Sequence, residues 1–134
     1  MPMLGVQYGA ILGASLVAMG IGWVWYMPAV FGRTWMRLRG VKMQGDMKMP
    51  VSDLFVEFLS TLITIFVVNV LVIAFGAFNV RGAIQLAILV WLGFYVTALM
   101  SEVLWEKKPF GVFLISAGQR LVTLIVATLI LALW

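Results

Sequence analysis

The sequence contains no cysteine and no histidine, and only 5 of its 134 residues are acidic. Without cysteine there is no disulfide, no thiolate metal site and no cysteine nucleophile. Without histidine the chain lacks the commonest ligand for metals and the usual proton carrier near neutral pH. These absences disfavour redox and hydrolytic catalysis, so we expect no enzyme, no cofactor and no metal centre.

What the sequence has in excess is apolar side chains. They make up 64% of the residues against 10% charged, and the mean hydropathy is +1.13. Ordinary soluble domains are about 45–50% apolar, so lipid must cover the remainder. The net charge of +4 is better explained by orientation in a membrane than by a nucleic-acid partner, which we do not expect. The sequence predicts a single transmembrane domain, residues 1–134, surrounded by membrane lipids.

Four apolar runs, at about 4–27, 54–78, 83–105 and 110–134, are each long enough for a helix to cross a bilayer. The loop between the last two is very short, so those helices must be antiparallel neighbours. We therefore predict an all-α fold, an integral membrane four-helix bundle. A basic cytoplasmic loop, 32–52, separates the first two spans.

A short amphipathic segment opens that basic loop. We expect it to lie on the membrane surface and to contact lipid headgroups through Arg33, Trp35, Arg37 and Arg39. An ordinary basic loop explains the same charges equally well.

Basic residues are distributed very unevenly between the two sides of the predicted bundle. The first and third loops share one side and hold seven of the nine: Arg33, Arg37, Arg39, Lys42, Lys48, Lys107 and Lys108. The other side has only Arg81, and Arg120 lies within a span. Because basic residues stay on the cytoplasmic side, we expect a multi-pass protein of the cell inner (plasma) membrane with both termini extracytoplasmic. Trp134 would then anchor at the outer surface.

Small residues recur at a spacing of four in the first span. Gly5, Gly9 and Gly13 stack on one helix face as a glycine zipper, and Gly22 belongs to a neighbouring row with three alanines. Gly93 begins a similar face in the third span. In lipid, small residues matter because they let helix backbones approach closely. We expect these glycines to mediate helix packing, against either the same chain or a second copy.

Arg120 is the residue that most needs an explanation. It lies about ten residues into the last span, about 15 Å deep, where an arginine costs at least about 2.5–3.5 kcal/mol. The directions of the side chains favour Glu102 as its partner. Around this pair we predict an intramembrane polar cluster of Glu57, Thr61, Thr64, Ser101, Glu102, Ser116, Gln119 and Arg120.

Two interpretations of this cluster remain open. Either a glutamate carries a proton or cation while Arg120 tunes it or holds an anionic substrate, or a buried ion pair only fixes the helix register.

Several motifs along the chain also carry a family resemblance. In the first half the pattern is Gly22-x-x-Trp25-Tyr26 followed by Phe31-Gly32-x-x-Trp35-Met36, and in the second half it is Trp91-Leu92-Gly93-Phe94, Glu106 to Pro109, Gly118 and Trp134. With these motifs the chain resembles the small bacterial membrane family catalogued as domain of unknown function 1761. Gln119-Arg120 departs from that family's usual pair. The resemblance implies four transmembrane helices and no particular activity.

Our leading hypothesis for function is a non-enzymatic membrane protein that acts through helix packing. It would be a self-oligomer or an accessory subunit of a larger membrane complex. The alternative is a small oligomeric transporter or channel that uses the intramembrane Glu/Arg cluster.

Overall fold

The structure, a computed structural model, describes residues 7–25, 30, 34, 37, 38 and 51–134. Its long helices are α1 (Tyr8–Trp25), α2 (Val51–Phe75), α3 (Val80–Trp105) and α4 (Phe110–Leu133). Each of the four is long and apolar enough to cross a membrane. The predicted all-α fold with four spans is confirmed, and the chain is a multi-pass membrane protein.

Short turns connect the last three helices. Gly76, with φ +62°, follows the end of α2, in a left-handed conformation that glycine adopts without strain. Asn79 caps α3, because its side chain accepts a hydrogen bond from the backbone N–H of Gly82 at 2.6 Å. The next turn contains Lys107 at φ 53° and ends at Pro109, which precedes α4. The short turn after α3 makes α3 and α4 antiparallel neighbours.

Helix α3 is interrupted by a π-helical turn. It consists of an α-helix over Val80–Val90, a π-helix over Trp91–Val96 and an α-helix over Thr97–Trp105. A π turn takes one more residue per hydrogen-bonded ring than an α turn, so it changes which side chains face a neighbouring helix. Such turns occur often at functional sites.

Helix α4 is the centre of the bundle. It packs against α1, α2 and α3, whereas α3 has α4 as its main neighbour. In the most apolar stretch of α4, 39% of the residues are buried, compared with 17% in the corresponding stretch of α3. The inward stripe of α4, at alternating spacings of four and three, consists of Phe113, Ala117, Arg120, Leu124, Ala127 and Leu131. All of these except Arg120 are buried.

The two ends of the bundle differ in how tightly they are packed. The main core lies at the end that carries Arg81, which we call the Arg81 end, and includes Ala10, Ala14, Ile65, Val68, Val72, Ala83, Ala87, Leu124, Ala127 and Leu131. At the opposite end, where Lys107 and Lys108 lie, residues 51–64 of α2 and 91–105 of α3 include no buried residue. We call this the basic end; there Val112, Phe113 and Ile115 of α4 are buried.

The small residues of α1 have different neighbours. Ala10, Ala14 and Ala18 are buried between helices. Gly9 and Gly13 instead face the indole of Trp134, which lies 3.6 Å and 3.5 Å from the positions where their Cβ atoms would stand. Predicted contacts of Gly5 lie outside the described residues.

Candidate functional site

Arg120 belongs to the buried stripe of the central helix, yet it is only half-buried. Its guanidinium carbon lies over the ring of Tyr95, 5.7 Å from the ring centroid. A cation at this distance from an aromatic face is attracted by the ring's quadrupole, by about 0.5–1 kcal/mol at exposed sites and more where water is excluded. Tyr95 lies in the π turn of α3, so the π turn supplies the surface on which Arg120 rests.

The predicted ion pair between Arg120 and Glu102 is wrong. Glu102 accepts a hydrogen bond from Lys108 Nζ at 3.2 Å, and the same ammonium lies 3.3 Å from Glu106. The turn that contains Lys107 brings Lys108 back to the last turn of α3. Arg120 meets α3 at Tyr95, seven residues and about 10 Å earlier along the helix. Among the residues that the structure describes, no carboxylate lies within salt-bridge distance of Arg120.

The Lys108 contacts have an electrostatic consequence outside the membrane-spanning segments. The hydrogen bond to the Glu102 carboxylate raises the pKa of Lys108 above its ordinary value of 10.5, although partial desolvation opposes this, and Glu106 adds to the increase. Both carboxylates favour the charged ammonium. The turn between α3 and α4 is therefore closed by a small network of three charges.

Three hydroxyl side chains of the predicted polar cluster form hydrogen bonds within their own helices. Thr61 donates to the carbonyl oxygen of Glu57 at 2.9 Å, Thr64 to that of Ser60 at 3.0 Å, and Ser101 to that of Thr97 at 3.2 Å. These are bonds to the preceding helical turn, which hydroxyl side chains form without any partner helix. Ser116 is half-buried on α4. A polar cluster of these hydroxyls around Arg120 stays a prediction.

A smaller set of polar contacts connects α1 with α2 and α4 at about the depth of Arg120. On α1, Met19 lies 3.8 Å from the Thr61 hydroxyl of α2, and one turn further Gly22 faces the Gln119 amide of α4 at 3.7 Å from its Cβ position. Gln119 is 5% exposed and donates to Thr123 at 2.9 Å.

The same contacts fix the depth of Glu57. Helix α1 runs antiparallel to both α2 and α4. Glu57 lies one turn from Thr61 toward the basic end, just as Gly22 lies about one turn from Met19. Glu57 therefore lies at the depth of Gln119 and Arg120. Glu57 is half-buried. It is therefore Glu57, and not Glu102, that shares the depth of the arginine, although the two side chains do not form an ion pair.

Two tryptophans that the sequence analysis did not include in the site hold α4 at this level. The indole N–H of Trp25 donates to the carbonyl oxygen of Ile115 at 3.0 Å, and that of Trp91 to Ala117 at 2.8 Å. Gly118 leaves room for Trp25, whose Cζ2 lies 3.2 Å from the Cβ position of that glycine. Trp91 and Gly118 were noted only as motif residues. In the sequence, Trp91 could have been recognised by its position in the middle of the third span, away from the membrane interface where tryptophan is usual.

The remaining predicted residues add little to this site. Arg37 is exposed, and its contact with lipid headgroups stays a prediction. Predicted contacts of Arg33, Trp35 and Arg39 lie outside the described residues. Over the described ranges no group of three or more acidic side chains is placed to hold a metal ion. The candidate site therefore consists of the Arg120 guanidinium and the Tyr95 ring beneath it.

Comparison with known proteins gives one match. A family model with the description "Protein of unknown function (DUF1761)" matches residues 9–132. No curated protein and no solved structure matches the chain. The family match extends over α1 to α4, so it covers both tryptophans and the Arg120 segment.

Proposed function

Since this chain belongs to the DUF1761 family, whose description assigns no activity, we propose from its own geometry that it acts without catalysis, through helix packing in the membrane as a self-oligomer. The predicted resemblance to this family is confirmed by the match. The contact surface in this proposal is the exposed face of α3 that carries Gly93, Thr97 and Ser101.

The observation that carries the proposal is the difference between two rows of small residues. Gly9 and Gly13 on α1 already have Trp134 as a neighbour within the chain. Gly93 has nothing within 4 Å of its Cβ position, and Thr97 and Ser101 are also exposed. One row has a partner in the same molecule, and the other is available to a second molecule.

The chemistry of the α3 row suits contact with another helix. Its members are spaced by four, so they lie on one helix face. Thr97 donates to the carbonyl oxygen of Gly93 at 2.8 Å, which leaves the face small and without a free donor. Lipid tails gain little from such a surface, whereas a second helix gains close backbone contact. Large exposed side chains beside it, such as Leu92 and Phe94, can form the rim.

For location we propose the cell inner (plasma) membrane, with both termini on the outer side. Support comes from the charges at the ends of the helices. Lys107 and Lys108 follow α3 at one end of the bundle, and Arg81 lies at the other. With the basic first loop counted, the excess of positive charge lies at the basic end, which the positive-inside rule assigns to the cytoplasm.

Because the chain has no cysteine, single cysteines can test the α3 face directly. Thr97→Cys in native membranes, under mild oxidation, should yield a disulfide-linked dimer. Ile63→Cys on α2, whose parent side chain is 65% exposed, is the control for random collision and should yield little dimer. Gly93→Leu added to Thr97→Cys should abolish the dimer. Gly20→Leu should not, because Gly20 also has nothing within 4 Å of its Cβ position but lies on α1.

Equal cross-linking from Thr97→Cys and Ile63→Cys would contradict self-association through α3. A stable complex with a different protein, and no self-dimer, would instead support the accessory-subunit form. The alternative of an oligomeric transporter with a Glu/Arg cluster has less support, because Glu102 is bound to Lys108 and Glu57 makes no ion pair with Arg120.

A further inference from the structure

We propose that Arg120, supported by Tyr95, is the binding residue of an intramembrane site for an oxyanion, a carboxylate or a phosphate, that is the headgroup of an amphiphile. The site does not depend on self-association through α3, since Arg120 and Tyr95 belong to the contact between α3 and α4 within one chain.

The first support is the position of Arg120 on α4. Its neighbours in the inward stripe, Ala117 and Leu124, are 4% and 3% exposed, whereas Arg120 stays half-buried. The arginine thus lies on the inward stripe of α4, at a level where α2 and α3 have no buried residue. An arginine at this depth is costly, and a charge in such a position is a functional-site hypothesis by default.

The second support is the state of the guanidinium donors. A guanidinium carries five N–H donors, all in its plane. The contact with the Tyr95 ring supplies no oxygen acceptor for these donors. Within residues 7–25 and 51–134 no carboxylate, carbonyl or hydroxyl oxygen accepts a hydrogen bond from Arg120. A planar fork of donors is the geometry that binds carboxylate and phosphate in a bidentate manner.

The third support is that neighbouring contacts hold the segment of α4 that carries Arg120. The indoles of Trp91 and Trp25 are hydrogen-bonded to α4 at Ala117 and Ile115, within two turns of the arginine. Gln119 is already committed to Thr123. A binding group fixed by its neighbours loses less entropy when a ligand arrives.

Depth and charge together select the class of ligand. Arg120 lies about 15 Å from the start of α4, so a small hydrated anion would have to enter hydrocarbon without its water. An apolar tail offsets that cost, because its burial in lipid is favourable while the headgroup pairs with the arginine. Glu57, at the same depth, opposes the accumulation of negative charge, which favours a single-headed monoanion.

The test measures binding to the purified full chain in a neutral detergent by native mass spectrometry, with oleate as the probe. Oleyl alcohol has the same tail without the charge, and inorganic phosphate has an oxyanion without the tail. Arg120→Gln should weaken oleate binding by about tenfold or more, since a charged bidentate pair is worth more than 1.4 kcal/mol. Arg120→Lys, which keeps the charge but loses the fork, should fall between Arg120→Gln and the unmodified protein.

Arg81→Gln is the matched control, because Arg81 is an exposed arginine at the other end of the bundle; it should bind oleate like the unmodified chain. Tyr95→Leu, which keeps the charge and removes the ring, should weaken binding and serves as the second variant if Arg120→Gln does not fold. Equal affinity of Arg120→Gln and Arg81→Gln, or of oleate and oleyl alcohol, would overturn the site. Arg120-dependent binding of inorganic phosphate as strong as that of oleate would overturn the assignment to an amphiphile and indicate a free anion.

Discussion

The indole of Trp134 lies against Gly13, with its Cζ3 atom 3.5 Å from the position where a Cβ on that glycine would stand. The same ring is 3.6 Å from the Cβ position of Gly9. A shallow groove beside it is lined by Gly13, Val17 and the last residues of α4. The glycines at the start of α1 therefore provide a surface for an aromatic ring of the same chain.

This contact predicts different effects for small and large substitutions at Gly13. Gly13→Ala should be tolerated, because 3.5 Å is an ordinary van der Waals distance. Gly13→Leu should displace the indole and lower the free energy of unfolding by about 1–3 kcal/mol, as overpacking does. Thermal unfolding in detergent measures both effects. Gly20→Leu is the control, since nothing lies within 4 Å of its Cβ position, and an equal loss in both leucine variants would contradict the contact.

A second prediction concerns the indoles that bind α4. Trp25→Phe and Trp91→Phe keep most of the apolar surface and remove the N–H donor, so each should destabilise the bundle by about 0.6–1.5 kcal/mol. Unfolding in mixed detergent and denaturant gives the difference. Trp105→Phe is the matched control, because Trp105 is 85% exposed and makes no hydrogen bond through its side chain among the described residues. If Trp105→Phe costs as much as the other two, the hydrogen bonds do not hold α4.

A third prediction is a pH dependence at the turn between α3 and α4. The pKa of Lys108 is raised in the folded protein, so its contribution to stability is fully present below 10.5 and is lost as the pH rises through the higher folded value. Because the charges are partly exposed, the contribution should be at most about 1 kcal/mol. Lys108→Gln should therefore unfold more readily than the unmodified chain at neutral pH, and this difference should vanish in strong alkali.

Lys107→Gln is the control for that measurement. Lys107 neighbours Lys108 in the same turn, but it is exposed and takes no part in the ion pairs. Lys107→Gln should cost less stability at neutral pH than Lys108→Gln, because it removes no ion pair. A pH-independent difference for Lys108→Gln would show that the charge network does not stabilise the turn.

The sequence was sufficient to predict the helices because hydropathy and helix length are properties of short segments. It also located Arg120 correctly within the last span. The partner of Arg120 was not predictable in the same way. Glu102 is bound by Lys108 because Lys107 adopts φ 53°, a conformation that no pattern in the chain indicates for a lysine.

The π turn was unpredictable for a different reason. Helix α3 is apolar on most sides around Trp91–Val96, so its periodicity does not reveal one extra residue in a turn. The extra residue in the π turn changes which side chains face α4, and Tyr95 of this turn lies under Arg120. The neighbour of Gly9 and Gly13 was equally hidden, since glycine spacing shows which face is small and not what covers it.

The uneven distribution of buried residues along the bundle has a mechanical consequence. Ala14, Val72, Ala83 and Leu131 belong to one buried cluster near the Arg81 end, whereas residues 51–64 of α2 and 91–105 of α3 include no buried residue. Local opening should therefore cost less free energy in these segments of α2 and α3 than at the Arg81 end, and amide hydrogen exchange should be faster there.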